Sequence, residues 1–369
     1  MQRAGNRPIT ISIKADNTVS EHHPLLLLAF SRSTRWHALR FSMEYHTLTR
    51  ISPMLKGNMT FLRRLLLEVN NKTRPLHDDV IVNAFLDAPE LQDVSLDGNI
   101  EFLVPLIPIP WSQITHYRDL WDITWRSWPD NAEILRETPN LTHLFGSYWW
   151  LDRHPPITMP HLHTLSLYGA RIDPENESSD TFLDQLHAPR VRNLCVGGGL
   201  TTLTIEAYRR FMDRSASTLR AVSVDTQAWP KASRESLVLD LLKSIPDRVE
   251  SLTLRDRMTE HWIIEALTLK LDGCNEDGRP RILPRLQDLR LYVFPDPHCD
   301  VLVNQLISMV ESRIPSESGP GLLKKLRLDL RGRTRRILGA PYFKEKVLQS
   351  NGLEVDLSPP AWDRYFPIF

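Results

Sequence analysis

The chain has 369 residues with 45 basic and 45 acidic side chains, so no net charge draws it toward nucleic acid or an anionic membrane surface. Apolar residues make up 41 %, which excludes wholesale disorder, and no apolar run approaches the ~20 residues of a membrane helix. Three scattered cysteines (Cys195, Cys274, Cys299) form no disulfide framework and no secretory signal is evident, so an intracellular setting, cytoplasmic or nuclear, is expected.

Ile9, Ile11 and Ile13 alternate with polar residues and predict a first strand. Residues 24–32 predict a short apolar helix, and residues 1–35 together read as an N-terminal cap. From Trp36 a strand motif recurs. Its clearest copy is His161 to Gly169 (HLHTLSLYG), where Leu162, Leu165 and Leu167 stand at the spacing L-x-x-L-x-L. Leu165 and Leu167 are two apart and share one face of a strand. The second anchor of each copy falls at Leu39, Leu65, Val94, Tyr117, Leu144, Leu165, Leu194, Val222, Leu252, Leu289, Leu326 and Leu353. The copies at Tyr117 and Leu144 are degenerate, and Leu353 with Val355 and Leu357 closes the series.

Helical segments are predicted between strands. Residues 78–87 place Ile81, Ala84 and Phe85 on one face, and residues 178–187 do the same with Phe182, Leu183 and Leu186. Longer helices are predicted over 236–245 and 300–313. A proline then precedes several strands: Pro89, Pro139, Pro160, Pro189 and Pro284. Most copies are spaced at or near the ~20–29 residues of leucine-rich repeats. One such unit cannot bury its apolar face alone, but stacked units can. The predicted fold is therefore α/β, a leucine-rich-repeat solenoid with a curved parallel sheet and helices on the convex face. The array spans residues 36–357, and residues 358–369, with Trp362, Tyr365 and Phe366, form a C-terminal cap.

Four phrases carry a family resemblance: 110–116 (PWSQITH), 135–144 (LRETPNLTHL), 157–167 (ITMPHLHTLSL) and 182–194 (FLDQLHAPRVRNL). They resemble the repeat region of the large fungal F-box protein family, over roughly residues 9–330. The resemblance implies a leucine-rich-repeat substrate receptor for a cullin-type ubiquitin ligase. It covers the repeats only. The F-box, a helical module that docks the ligase adaptor, finds no room before Trp36, so adaptor binding is not expected. The alternative is a free-standing repeat scaffold or decoy with no ligase link.

No catalytic constellation stands out, and no cofactor or metal is expected. The thirteen histidines form no H-E-x-x-H or cysteine–histidine zinc spacing, and His161 and His163 are expected to face solvent. Gly197-Gly198-Gly199 follows a strand but lacks a phosphate-loop lysine, so a repeat turn is expected. Cys195 faces away from the leucines with no activating base in view. The basic run 331–336 (RGRTRR) lacks interleaved aromatics and reads as a solvated loop rather than a nucleic-acid grip.

Protein clients are the expected partners, on the concave face. Between the leucines, Arg64, Asp93, Ser95, Asp97, Phe145, Ser166, Tyr168, Asp225, Arg255, Arg290, Tyr292, Arg327 and Asp329 are predicted to point outward. Six of the ten tryptophans fall between Trp111 and Trp150, and Trp121, Trp125 and Trp128 have the spacing of core packing. Trp149 and Trp150 follow Tyr148 on a short loop where both rings do not easily point inward. The candidate partner-binding residues are therefore Phe145, Tyr148, Trp149, Trp150, Tyr168, Arg255, Arg290, Tyr292 and Arg327.

Overall fold

Four copies of the motif begin as a proline turn. In Ala88-Pro89-Glu90-Leu91, Thr138-Pro139-Asn140-Leu141 and Leu283-Pro284-Arg285-Leu286, the fourth N–H donates to the first carbonyl, each at 3.2 Å. Met159-Pro160-His161-Leu162 closes the same way at 3.3 Å. Proline presets φ at the second position of such a turn, so it does more than stop a helix. The turn delivers the first leucine inward: Leu91, Leu141, Leu162 and Leu286 are all buried.

The computed structural model describes residues 7–15, 20, 22–69, 80–98, 106–119, 131–147, 155–169, 182–198, 202–226, 229, 234–255, 261–268, 282–293, 299–313, 323–330 and 353–356. They divide into two compact units. The first runs to Leu162 and includes Gln185–Ala188; the second takes the rest from His163 onward.

The first unit carries β1 (Ile9–Lys14), β2 (Trp36–Met43), β3 (Arg64–Val69), β4 (Asp93–Gly98), β5 (His116–Asp119) and β6 (His143–Ser147). They pair in chain order, all parallel. Two short strands, β7 (Ile157–Thr158) and β9 (Leu186–His187), form a separate parallel pair in this unit. The second unit carries β8 (Thr164–Gly169), β10 (Asn193–Gly198), β11 (Ala221–Asp225), β12 (Ser251–Arg255), β13 (Asp288–Val293), β14 (Lys325–Leu330) and β15 (Glu354–Asp356). These also pair in chain order and parallel. The fold is thus α/β, with thirteen strands among the described residues in large parallel ladders.

A shared carbonyl sets the register. The His163 carbonyl accepts the N–H groups of Arg192 and Asn193, at 2.8 and 3.0 Å. Arg192 does the same for Arg220 and Ala221, Arg220 for Glu250 and Ser251, and Glu250 for Gln287 and Asp288. In the first unit Gln92 accepts from Thr115 and His116. These strands therefore start in step with their neighbours, and the anchors align. Leu39, Leu65, Val94, Tyr117 and Leu144 form one row in the first unit. Leu165, Leu194, Val222, Leu252, Leu289 and Leu326 form one in the second. All eleven are buried. The row ends on Val355, not Leu353, because Leu326 pairs with Val355.

The connectors depart further from expectation. Helices α1 (Pro24–Phe30), α2 (Tyr45–Leu55), α3 (Asn131–Glu137), α4 (Phe182–Gln185), α5 (Thr202–Ser215), α6 (Arg234–Ser244), α7 (His261–Leu267) and α8 (Cys299–Arg313) alternate with the strands. Within 78–87, the described part is a 3-10 turn at Asn83–Phe85, and Asp78 and Asp79 lie outside the described residues. Ile81 is exposed there, whereas Val82, Phe85 and Ala88 are buried, three apart as a 3-10 turn requires. Within 178–187, residues 178–181 lie outside the described residues; Phe182–Gln185 is helical, and the helix stops there because Leu186–His187 is drawn into pairing with Ile157–Thr158. The helices predicted over 236–245 and 300–313 match α6 and α8 to within two residues. Helix α5 was not expected, although Ile205, Tyr208, Phe211, Met212 and Ser215 line its buried face at helical spacing. Among the described residues no helix is long and apolar enough to cross a membrane. The predicted C-terminal cap lies outside the described residues.

Candidate partner-binding face

Strand side chains alternate, so each buried leucine row leaves an opposite row on the other face of its sheet. In the first unit one such row runs Arg40, Leu66, Ser95, Arg118 and Phe145. A second runs Arg64, Asp93, His116 and His143. Cross-strand charges are paired: Arg40 with Glu68, and Arg118 with Asp93 at 3.3 Å. Leu66 and Ser95 are buried despite facing away from the leucines. Ser95 was expected to be open. It lies in register between Leu66 and Arg118, and alternating long and short side chains leave the short ones below their neighbours.

His116 and His143 stack in register, with ring centroids 4.2 Å apart and planes within 8°. The Nδ1 of each is hydrogen-bonded to the hydroxyl of the preceding threonine, Thr115 or Thr142, at 2.9 Å. Burial holds His116 below the ordinary histidine pKa; Asp93 opposes that shift, and Arg118 and Arg64 add to it. Parallel stacked rings do not converge their nitrogens on one metal ion at bonding distance. Among the described residues no three metal-ligating side chains gather. On the leucine side of the same strand, buried Asp119 stands opposite Leu96. Burial, and then the charge of Asp119, holds the Tyr117 hydroxyl well above its ordinary pKa.

The second unit presents a different surface. One row runs Ser166, Cys195, Ser223, Thr253, Arg290, Arg327 and Asp356. The next runs Tyr168, Gly197, Asp225, Arg255, Tyr292 and Asp329. Burial pushes the Cys195 thiol above its usual pKa, and hydrogen bonds to Ser166 and Ser223 only partly offset it. A protonated thiol between two hydroxyls is a poor nucleophile. Two glycines of the run have separate reasons. A Cβ on Gly197 would lie 2.6 Å from the Tyr168 ring, and Gly198 takes φ +84°, open to glycine at no steric cost. Gly199 lies outside the described residues.

At the other side of this face Arg255 pairs with Asp225 at 3.3 Å. The Tyr292 ring carries two guanidiniums, Arg290 at 5.0 Å and Arg255 at 5.8 Å from its centroid. Tyr292 and Ser166 were expected to be open but are buried; Tyr292 lies beneath those arginines. Lys325 is paired with Glu354. Arg327 is different: no ion pair among the described residues holds it, while its Nε, like that of Arg255, is shielded from solvent with no hydrogen-bond partner.

The structure therefore gathers four of the sequence candidates, Arg255, Arg290, Tyr292 and Arg327, on three adjacent strands. Tyr168 sits on β8, well along the same ladder, and half-buried Phe145 belongs to the first unit. Tyr148, Trp149, Trp150, Trp121, Trp125, Trp128, Cys274 and the run 331–336 lie outside the described residues. His161 is exposed and His163 half-buried. The sequence reading missed the histidine stack, although two Thr-His dipeptides, Thr115-His116 and Thr142-His143, mark it. It also missed Arg313, whose guanidinium is buried and donates to the carbonyls of Leu267, Leu283 and Ile282 at 2.7, 3.2 and 3.1 Å. Burial lowers its pKa to about 10.

No protein-family model matches the chain, and no curated protein matches it either.

Proposed function

We propose that the chain is a non-enzymatic protein-interaction module. It is a leucine-rich-repeat solenoid that receives protein clients on the sheet face turned away from its leucines. The reading likens it to the substrate-recognition part of an F-box ubiquitin-ligase receptor. The supporting observation is the register: each copy repeats the same buried anchors while changing the side chains opposite them, from Ser166 to Arg327 along one row. A constant core with a variable face suits recognition. Curvature follows from widths, since a helix is ~10 Å across and strands are spaced only ~4.8 Å apart. Helices between strands then belong on the convex side. An intracellular location, no cofactor, and no nucleic-acid or membrane partner go with this reading.

Affinity capture of the tagged chain from cells, scored for adaptor, cullin and clients together, tests it. Clients recovered with adaptor and cullin support a ligase receptor. Clients without them support the alternative, a free-standing scaffold or decoy. Recovery of no specific client sinks both. The purified chain is expected to elute apart from the adaptor on a sizing column. Replacing Tyr148, Trp149 and Trp150 together with Ser should abolish client recovery with an unchanged melt if those rings form a hot spot. A large drop in melting temperature, or full recovery, removes them from the site.

A further inference from the structure

We infer that the face of β13 and β14 receives an acidic side chain of a partner protein, its carboxylate held by Arg327 and Arg290; this rests on the interaction reading above. Arg290 and Arg327 are in register on neighbouring parallel strands, so two guanidinium-bearing stems rise side by side. Like charges directly opposite in a sheet destabilise it. The rest of the neighbourhood is arranged to avoid that cost. Arg255 has Asp225, and Lys325 has Glu354. Arg290 lies over the Tyr292 ring. Arg327 has neither an ion pair nor a ring contact among the described residues; its Nε is shielded from solvent, as is that of the ion-paired Arg255. A guanidinium without an ion pair has room for an acceptor with two oxygens, and a carboxylate supplies one in bidentate geometry.

The surrounding charges choose the class of anion. Asp356 stands in register beside Arg327, and Asp288 lies two residues before Arg290 on its own strand. Asp225 is next to Arg255. These acids keep the local field close to neutral. A phosphate dianion or a nucleic-acid backbone meets repulsion there, whereas a single carboxylate answers the Arg327 fork, which has no ion pair among the described residues. Approach is open from one side, because the same row continues through Thr253, Ser223 and Cys195, all short side chains. A partner segment can lie over them and reach the arginines.

Selection of a random heptapeptide phage library on the full chain tests this. Enriched peptides should carry Asp or Glu at one fixed position, at least about fivefold above the starting library. The same peptides should bind Arg327→Gln at least about tenfold more weakly, and Arg327→Lys in between, since lysine keeps the charge without the fork. The melting temperature of Arg327→Gln should not fall, which separates lost binding from lost fold. Enriched peptides with no acidic position, or with equal affinity for Arg327→Gln, overturn the carboxylate site but leave the interaction reading standing. A phosphoserine peptide that binds about tenfold tighter than its glutamate counterpart overturns the choice of anion. If no peptide is enriched, both readings fail.

Discussion

In the first unit the described connectors into β4 and β5 are single 3-10 turns, at Asn83–Phe85 and Trp111–Gln113. In the second unit β10, β11, β12 and β13 are each followed by a helix of 7 to 15 residues. The strands barely notice. Leu65, Val94 and Tyr117 in the first unit are as well aligned and buried as Leu194, Val222, Leu252 and Leu289 in the second. What the two units share is the carbonyl that accepts two N–H groups at the start of a strand, with a proline turn before some strands of each. Register is thus set locally, and the connector is free to vary. The opposite faces then diverge: paired charges and a histidine stack in the first unit, an arginine–tyrosine cluster in the second.

The largest expected effect comes from breaking a connector that belongs to the second unit. Arg313 ends α8 and ties three carbonyls, one of them the last residue of α7. Arg313→Ala strands those carbonyls and should cost ~3–5 kcal/mol, since hydrogen bonds to a charged group contribute about 1.5–3 each and do not fully add. Denaturant unfolding measures it. A loss under ~1 kcal/mol would mean water replaces the guanidinium freely.

Leu165→Ala removes a fully buried anchor and should cost ~2–5 kcal/mol. Leu65→Ala, its counterpart in the first unit, should fall in the same range. If only one of the two melts early, the units do not bury their anchors alike.

Gly197→Ala sharpens the contrast between faces. The added methyl meets the Tyr168 ring, so a cost of ~1–3 kcal/mol is expected. In the double variant with Tyr168→Ala that cost should vanish. A cost that persists would place the constraint in the backbone rather than in the ring.

The smallest effect is specific to the first unit. His116 has a lowered pKa when folded, so the unfolded chain binds its proton more readily. Stability from this group is therefore present above the unfolded value near 6.5 and is lost as pH falls through it toward the folded value. Stability should rise with pH across that window, and His116→Asn should flatten the rise. An unchanged slope would remove the stack as its cause.

The strands were legible because period-two leucines state register directly, and Leu165 with Leu167 does so within three residues. Connectors were not. A 3-10 turn at Asn83–Phe85 and a helix share short-range spacing, and only packing separates Ile81, exposed, from Val82, buried. The side of the candidate face was legible, since alternation alone places Arg255, Arg290 and Arg327 opposite the leucines. Depth was not. Whether Tyr292 stands open or lies under two arginines depends on where long side chains lean, which no spacing records.

The central claim is that clients bind the face opposite the leucines. Its most direct measurement is quantitative affinity capture with three proteins in parallel. They are the parent chain, Arg290→Ala/Arg327→Ala on that face, and Glu206→Ala/Arg209→Ala on α5, where a salt bridge is exposed. The account predicts that the face variant loses the specific clients at unchanged melting temperature, while the α5 variant keeps them. Retention by the face variant with loss by the α5 variant would contradict it and move recognition to the helices.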